Sequence, residues 1–233
     1  MIKVCIFDLD GTLADTVESL AYCGNRALQA MGLSTFPTDR YRYFAGDGSA
    51  ELVRRCLREN GDLQCRRFDE ISSLYGTYFA KDCMYHVKPF PGITELLEWL
   101  KAHGIKISVF SNKPHEQAID VVESLFGEGY FDYIQGQQEG IPRKPAPNGA
   151  IKIAEHFQVT RDECLYIGDT NTDMQTGNAA GMNTVGVLWG FRDRAELEEN
   201  HAKSIVSSPS EISFMLEQDY LRPVRDIQGG QND

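Results

Sequence analysis

The sequence predicts an α/β protein: a parallel sheet flanked by helices, with one all-helical segment inserted near the N-terminus. Three observations carry this. Short apolar runs recur without polar alternation, as strands buried on both faces require. Segments with helical spacing separate those runs, giving the βαβα order of a doubly covered sheet. Roughly residues 16–86 hold no convincing strand, only helical patterns.

The elements follow in order. VCIF (4–7) opens the sheet and runs directly into Asp8, Asp10 and Gly11. The first inserted helix is expected from about Asp15, an N-cap with Glu18 three positions on. It runs through Val17, Leu20, Ala21, Ala27, Leu28 and Met31 to a stop at Gly32. Further helices are expected near 38–44, 48–60 and 66–84. Pro89 and Pro91 mark the return, giving a core domain of 1–15 plus 87–233 and a helical cap domain of 16–86. A two-stranded crossing of this kind is a natural hinge. In 92–103, Ile93, Leu96, Leu97 and Leu100 share a face, with Pro91 near the start and Gly104 past the end. IKISVF (105–110), CLYI (164–167) and TVGVL (184–188) read as strands, and 114–126, 146–157 and 171–181 as crossover helices. The whole reads as a Rossmann-like core with an inserted cap. The tail RPVRDIQGGQND is polar and expected to be disordered.

The net charge of −11 argues against nucleic acid or an anionic membrane as partner, since both need an electropositive face. An anionic substrate must therefore be attracted locally. No apolar stretch approaches the roughly 20 residues of a membrane helix, and MIKVCIF lacks the pattern of a secretion signal. Six scattered cysteines, without a CxxC pair or zinc spacing, read as reduced thiols of a cytoplasmic protein. Nothing in the sequence indicates whether the chain is a monomer or a homodimer.

In open α/β sheets the ligand lies beyond the carboxyl ends of the strands. Four polar clusters fall there: Asp8 and Asp10; Ser111, Asn112 and Lys113; Gly168, Asp169 and Asp173; and Lys144 in IPRKPAP, a loop after FDYIQG. Acids with a lysine and a hydroxyl suit a hard cation, Mg²⁺, and a phosphoryl group. Asp8 can attack phosphorus and form an aspartyl-phosphate. Asp10 can protonate the leaving oxygen and later accept a proton from water. Lys144 would offset charge between Asp8 and the phosphate, while Ser111 and backbone N–H groups hold the equatorial oxygens.

Other readings fare worse. Neither acidic stretch fits a calcium loop: counted from Asp8 the glycine comes too early and Ser19 stands where the closing Glu belongs. A cap or turn is the common role of a lone loop aspartate, and suits Asp15 and in part Asp173, but does not explain four clusters at strand ends. The five histidines share no spacing, and neither a GxxxxGK[ST] nor a GxGxxG motif is present.

Taken together, DLDGT, VFSNK, the lysine of RKPAP and GDTNTD resemble the four motifs of the haloacid dehalogenase superfamily, in order and along nearly the whole chain. The likeness is to its phosphatases with a helical cap after the first strand. It implies Asp8 as nucleophile, Asp10 as acid/base and Lys144 as charge stabiliser. Ser111 and Asn112 would bind phosphate, and Thr12 would join them by ordering the nucleophile loop. Mg²⁺ would be held by Asp8, the Asp10 backbone carbonyl and Asp169, with Asp173 in support. Asp10 points to phosphate esters rather than C–halogen or C–P bonds. FAGDGSAELVRRCL (44–57) resembles the cap specificity loop of phosphoglycolate phosphatases, which implies Gly46, Asp47 and Gly48 as substrate contacts. The substrate implied is a small phosphorylated metabolite, 2-phosphoglycolate first. Nucleotidases and pyrophosphatases share much of this pattern. β-Phosphoglucomutases are expected to carry a histidine where Leu20 stands and Glu-Asp where this chain has Gly168-Asp169. A non-catalytic phosphate binder on this fold is the remaining alternative. Arg54, Arg55 and Arg58 share one cap helix and can recognise a carboxylate, although a solvated helix face is their commoner role.

Overall fold

A computed structural model describes residues 1–221, so the tail from Arg222 onward lies outside the described residues. The chain opens with β1 (Val4–Phe7) and a two-residue strand β2 (Ala14–Asp15). Four helices follow: α1 (Val17–Ala30), α2 (Arg40–Phe44), α3 (Ser49–Glu59) and α4 (Phe68–Asp82). The strand β3 (Lys88–Pro89) then returns antiparallel to β2, pairing Asp15 with Lys88. This corrects the expectation that Asp15 caps the first helix. The return strand draws Ala14 and Asp15 into extended pairing, so Thr16 takes the N-cap position.

The rest of the chain alternates. Helix α5 (Ile93–Ala102) precedes β4 (Lys106–Pro114), then α6 (His115–Phe126), β5 (Tyr133–Gln137) and α7 (Asn148–His156). Next come β6 (Cys164–Gly168), α8 (Asn171–Ala179), β7 (Asn183–Val187), α9 (Arg194–Glu199), β8 (Ser204–Val206) and α10 (Pro209–Leu221). The main sheet has six strands in the order β5-β4-β1-β6-β7-β8, all neighbours parallel.

The period of two in β1 decides which face each residue serves. Cys5 and Phe7 join a core cluster with Ile107, Val109, Leu165 and Ile167. Val4 and Ile6 point the other way, to a second cluster with Phe110, Ile153 and Tyr166. The first cluster is continuous into α1–α4 through Leu20, Tyr41, Phe44, Leu52 and Phe79. Both faces of β1 are thus dry, which is why its sequence shows no polar alternation. Strand order reverses around β1, with β4 on one side and β6 on the other. A crevice therefore opens beyond the carboxyl ends of these three strands. Among the described residues no helix is long and apolar enough to cross a membrane.

Candidate active site

Strand ends bring four distant sequence segments together. Asp8 follows β1 directly, its N–H donating to the Ile167 carbonyl of β6 at 2.9 Å. The pairing of β4 with β5 shifts register between Phe110 and Pro114, and such an irregularity re-aims side chains. Ser111, Asn112 and Lys113 fall inside it. Asp169 follows β6, and Asp173 is the third residue of α8. There Thr170 and Asp173 form a reciprocal cap, each side chain accepting from the other's backbone N–H. The expected capping role of Asp173 thus coexists with a place in the site.

Lys144 is the hinge of the charge arrangement. Its Nζ donates to Asp8 Oδ1 at 2.7 Å and to Asp173 Oδ1 at 2.7 Å. All three side chains are buried. Burial alone would favour the neutral amine, but Asp173 and Asp8 outweigh it and hold the ammonium charged well above its ordinary range. Asp8 is pushed up by burial first and by Asp173 second, against the pull of Lys144. Asp169 is raised to about 7, again by burial first and Asp173 second. Its two oxygens accept from the Thr12 hydroxyl and the Phe191 N–H, each at 2.8 Å. One ligand oxygen each from Asp8, Asp169 and Asp173 lie within 4.8 Å of one another. Three buried carboxylates against one ammonium leave negative charge uncompensated, and an all-oxygen donor set suits a hard divalent cation. The residues present therefore fit such an ion. Gly11 permits this crowding: its φ is +90°, and a Cβ there would stand 2.3 Å from Asp169 Oδ2.

Around this cluster the other predicted residues separate. Asp10 Oδ1 accepts from Lys113 Nζ at 2.8 Å. The Ser111 hydroxyl oxygen accepts the Lys113 N–H at 3.2 Å, which leaves its own proton to give. Asp8, Asp10, Ser111 and Asn112 line a partly open cavity of about 40 Å³ together with Gly46 and Gly48 and with Leu20, Leu52, Tyr75 and Phe79. Gly46 and Gly48 both have positive φ, at 108° and 85°, so the loop between α2 and α3 can press its backbone against the β4 end.

Three predicted contacts turn elsewhere. Thr12 is fully buried on Asp169 and does not line the cavity. The Asn112 amide is spent on backbone: it donates to the carbonyls of Gly46 and Lys144 and accepts the Lys144 N–H. Asp47 faces away from the cavity, accepting from Thr172 Oγ1 at 2.6 Å and from Arg55. Burial raises its pKa, but these bonds prevail and hold it below the usual carboxylate range. Arg55 also donates to the carbonyls of Tyr43, Phe44 and Ala45, and Arg58 to Glu51.

Sequence reasoning placed Lys113 in a strand-end cluster without a role of its own and did not single out Arg192. Arg192 donates to the carbonyls of Arg42 and Ala45, while Arg42 donates to the Gly190 carbonyl at 3.0 Å. These bonds join residues about 150 apart to the helices between β2 and β3, and no local pattern announces them.

The arrangement is that of a hydrolase acting on a phosphorylated group. A family model of haloacid dehalogenase-like hydrolases matches residues 5–187. The chain belongs to that family. It is 29% identical over 215 residues to a phosphoglycolate phosphatase of Aquifex aeolicus, covering 92% of this chain and 97% of that one. It is 30% identical to a phosphoglycolate phosphatase of Pseudomonas syringae pv. tomato, covering 87% of this chain and 76% of that one. A crystal structure from Lactobacillus delbrueckii subsp. bulgaricus, provisionally described as a phosphoglycolate phosphatase, superposes with a TM-score of 0.86 at 32% identity. It covers 92% of this chain and 98% of that chain.

Proposed function

We propose that this chain is a Mg²⁺-dependent phosphomonoesterase of the cytoplasm that hydrolyses a small phosphorylated metabolite, 2-phosphoglycolate foremost, through an aspartyl-phosphate. One observation carries the reading: Asp8 lines a cavity beyond the strand ends with Lys144 on its Oδ1 and Asp10, Ser111 and Asn112 around the same space. Asp8 is the nucleophile. Its free carboxylate oxygen attacks phosphorus, the P–O(ester) bond breaks, and Asp10 gives its proton to the leaving alkoxide. Asp10 then takes a proton from the water that attacks the aspartyl-phosphate, which releases phosphate and restores Asp8. Ser111 donates to an equatorial oxygen, and Lys144 keeps Asp8 from repelling the incoming phosphate.

Asp8, Asp169 and Asp173 would hold the Mg²⁺, together with the Asp10 backbone carbonyl. Bound there, the ion would offset the negative charge of the phosphoryl group and of these carboxylates. Residues 16–86 are the cap that closes over the site, with Gly46 and Gly48 as its backbone contacts and Asp47 fastening their loop.

The lining of the cavity, rather than its volume, bears on the substrate: about 40 Å³ holds on the order of three water molecules, less than either 2-phosphoglycolate or a nucleotide needs. Leu20 lines it as part of an apolar wall, which counts against a mutase. The test is a panel of phosphorylated metabolites assayed with Mg²⁺, with and without EDTA. Turnover should be greatest on 2-phosphoglycolate, vanish with EDTA, and vanish in Asp8→Asn. Full activity in that variant would exclude the covalent route.

A further inference from the structure

We infer that Lys113 is the specificity-determining residue for the part of the substrate that is not phosphate, and that it selects esters with a carboxylate on the carbon next to the ester oxygen. The inference rests on the phosphomonoesterase reading above and names the residue that would set its substrate class.

Lys113 is the one cation among the described residues that line the cavity. Lys144 lies below it, held between Asp8 and Asp173. The Lys113 side chain is 1% exposed; its Nζ lies 2.8 Å from Asp10 Oδ1 and 4.6 Å from the centre of the Phe79 ring. An ammonium offers three donors. One goes to Asp10, and no second hydrogen-bond acceptor for its Nζ is found among the described residues, while Leu20, Leu52 and Phe79 contribute the apolar part of the cavity lining. A buried cation with donors to spare costs free energy that an incoming anion would recover.

The cap arginines do not compete for this role. Arg55 is bound to Asp47 and to three carbonyls, Arg58 to Glu51, and Arg54 lies over the Phe68 ring at 4.4 Å with Glu51 beside it. None of the three lines the cavity.

The position of Lys113 also fixes how far the second charge can be from the phosphate. Asp10 must come within hydrogen-bond reach of the ester oxygen it protonates. In a 2-phosphooxy carboxylate, a carboxylate oxygen stands three bonds from that ester oxygen, on the order of 3 Å away by ordinary bond lengths. The ammonium already bonded to Asp10 can therefore bond that carboxylate as well. A carboxylate one carbon farther out would stand four bonds from the ester oxygen and match this donor less well. An ester with no carboxylate would leave the cation unanswered, the situation in which a polar site discriminates most strongly.

The test compares wild type, Lys113→Met and Lys113→Arg of the full chain, with Mg²⁺. The substrates are 2-phosphoglycolate, 2-phospholactate, 3-phosphooxypropanoate and ethyl phosphate. The readout is the ratio of kcat/KM between each carboxylated ester and ethyl phosphate. Effects passing through Asp10 or through folding are common to all four esters and cancel in that ratio. In Lys113→Met the ratio for the two 2-phosphooxy acids should fall roughly 10- to 100-fold, mainly through KM, as expected for a lost charged hydrogen bond. Lys113→Arg should restore part of it. Lys113→Gln carries the same comparison if the methionine variant does not fold. An unchanged ratio, or a wild type that turns over the esters without preferring the 2-phosphooxy acids, overturns the role of Lys113 alone. A preference for 2-phospholactate over 2-phosphoglycolate would replace the named substrate and leave Lys113 in its role. A wild type inactive on all of them refutes the phosphatase reading and this inference together.

Discussion

Replacing Lys144 by methionine tests the charge arrangement most directly. The side chain is 2% exposed, and its Nζ makes bonds of 2.7 Å to both Asp8 and Asp173. Methionine keeps most of the stem and so leaves little cavity. What it removes is the cation bonded to two buried carboxylates. Taking one partner from a buried ion pair costs about 3–5 kcal/mol. With two acids sharing the ammonium, the upper end applies, about 5 kcal/mol near pH 8 without metal. For a chain of this size, that lowers Tm by about 10 °C or more.

The sign of the pH dependence follows from the shifts. Asp8 and Asp169 are both raised, so each takes up a proton well before an ordinary aspartate would as pH falls. Without Lys144 the main force lowering Asp8 is gone, and its carboxyl neutralises at still higher pH. The loss should therefore shrink between about pH 8 and about pH 5.5, because a protonated carboxyl needs no counter-ion. Urea unfolding of both proteins at the two pH values, with EDTA, measures it. A loss under about 1 kcal/mol near pH 8, or equal losses at both pH values, would show that Lys144 does not carry this charge.

Two further perturbations act on Asp169. It is raised to about 7 from 3.8, so its proton competes with a cation below that pH. Mg²⁺ affinity measured by calorimetry should rise as pH climbs toward 7, and a flat profile over that range would refute the assignment of Asp169 as ligand. Folding stability without metal should move oppositely, falling as pH rises from about 4 to about 7, since the charged form is the one burial penalises. Gly11→Ala should cost Mg²⁺ binding and turnover together. Its φ of +90° strains any L-residue, and the added Cβ meets Asp169 Oδ2 at 2.3 Å. Retained calorimetric Mg²⁺ binding in that variant would mean that the loop relaxes freely.

How far the sequence reaches depends on whether the information is local. Strand β1 was legible because a strand dry on both faces shows as an unbroken apolar run, and α5 because its buried residues recur at helical spacing between Pro91 and Gly104. The convergence of Asp8, Ser111, Lys144 and Asp169 was legible because a parallel sheet sends its strand ends to one edge. The β2–β3 pair was not: two residues on each side carry no periodicity, and Asp15 followed by a helical pattern looks like a cap. Nor could spacing tell that the Asn112 amide is consumed by the backbone of Gly46 and Lys144, or that Asp47 turns to Thr172. Those partners lie 32 to 125 residues away, and only the packed chain brings them near.

The same long-range bonds say which parts of the site depend on the helices between β2 and β3. Asn112 donates to the Gly46 carbonyl on that side and exchanges two bonds with Lys144 on the sheet side. If the loop at Gly46 withdraws, Asn112 loses one bond and keeps two. Lys144 would keep its hold on Asp8 and Asp173, Thr12 would keep Asp169, and Thr170 would keep Asp173, because none of these partners lies between β2 and β3. Lys113 differs. Its bond to Asp10 survives, but the Phe79 ring over its ammonium comes from α4 and departs with it. Opening would therefore leave the phosphate-side charges in place while exposing the one cation that faces the rest of the substrate. With the helices withdrawn, water would screen the attraction toward Lys113 while leaving it accessible to an approaching anion; its pull and its selectivity would both be stronger in the present arrangement, where less water competes for its donors.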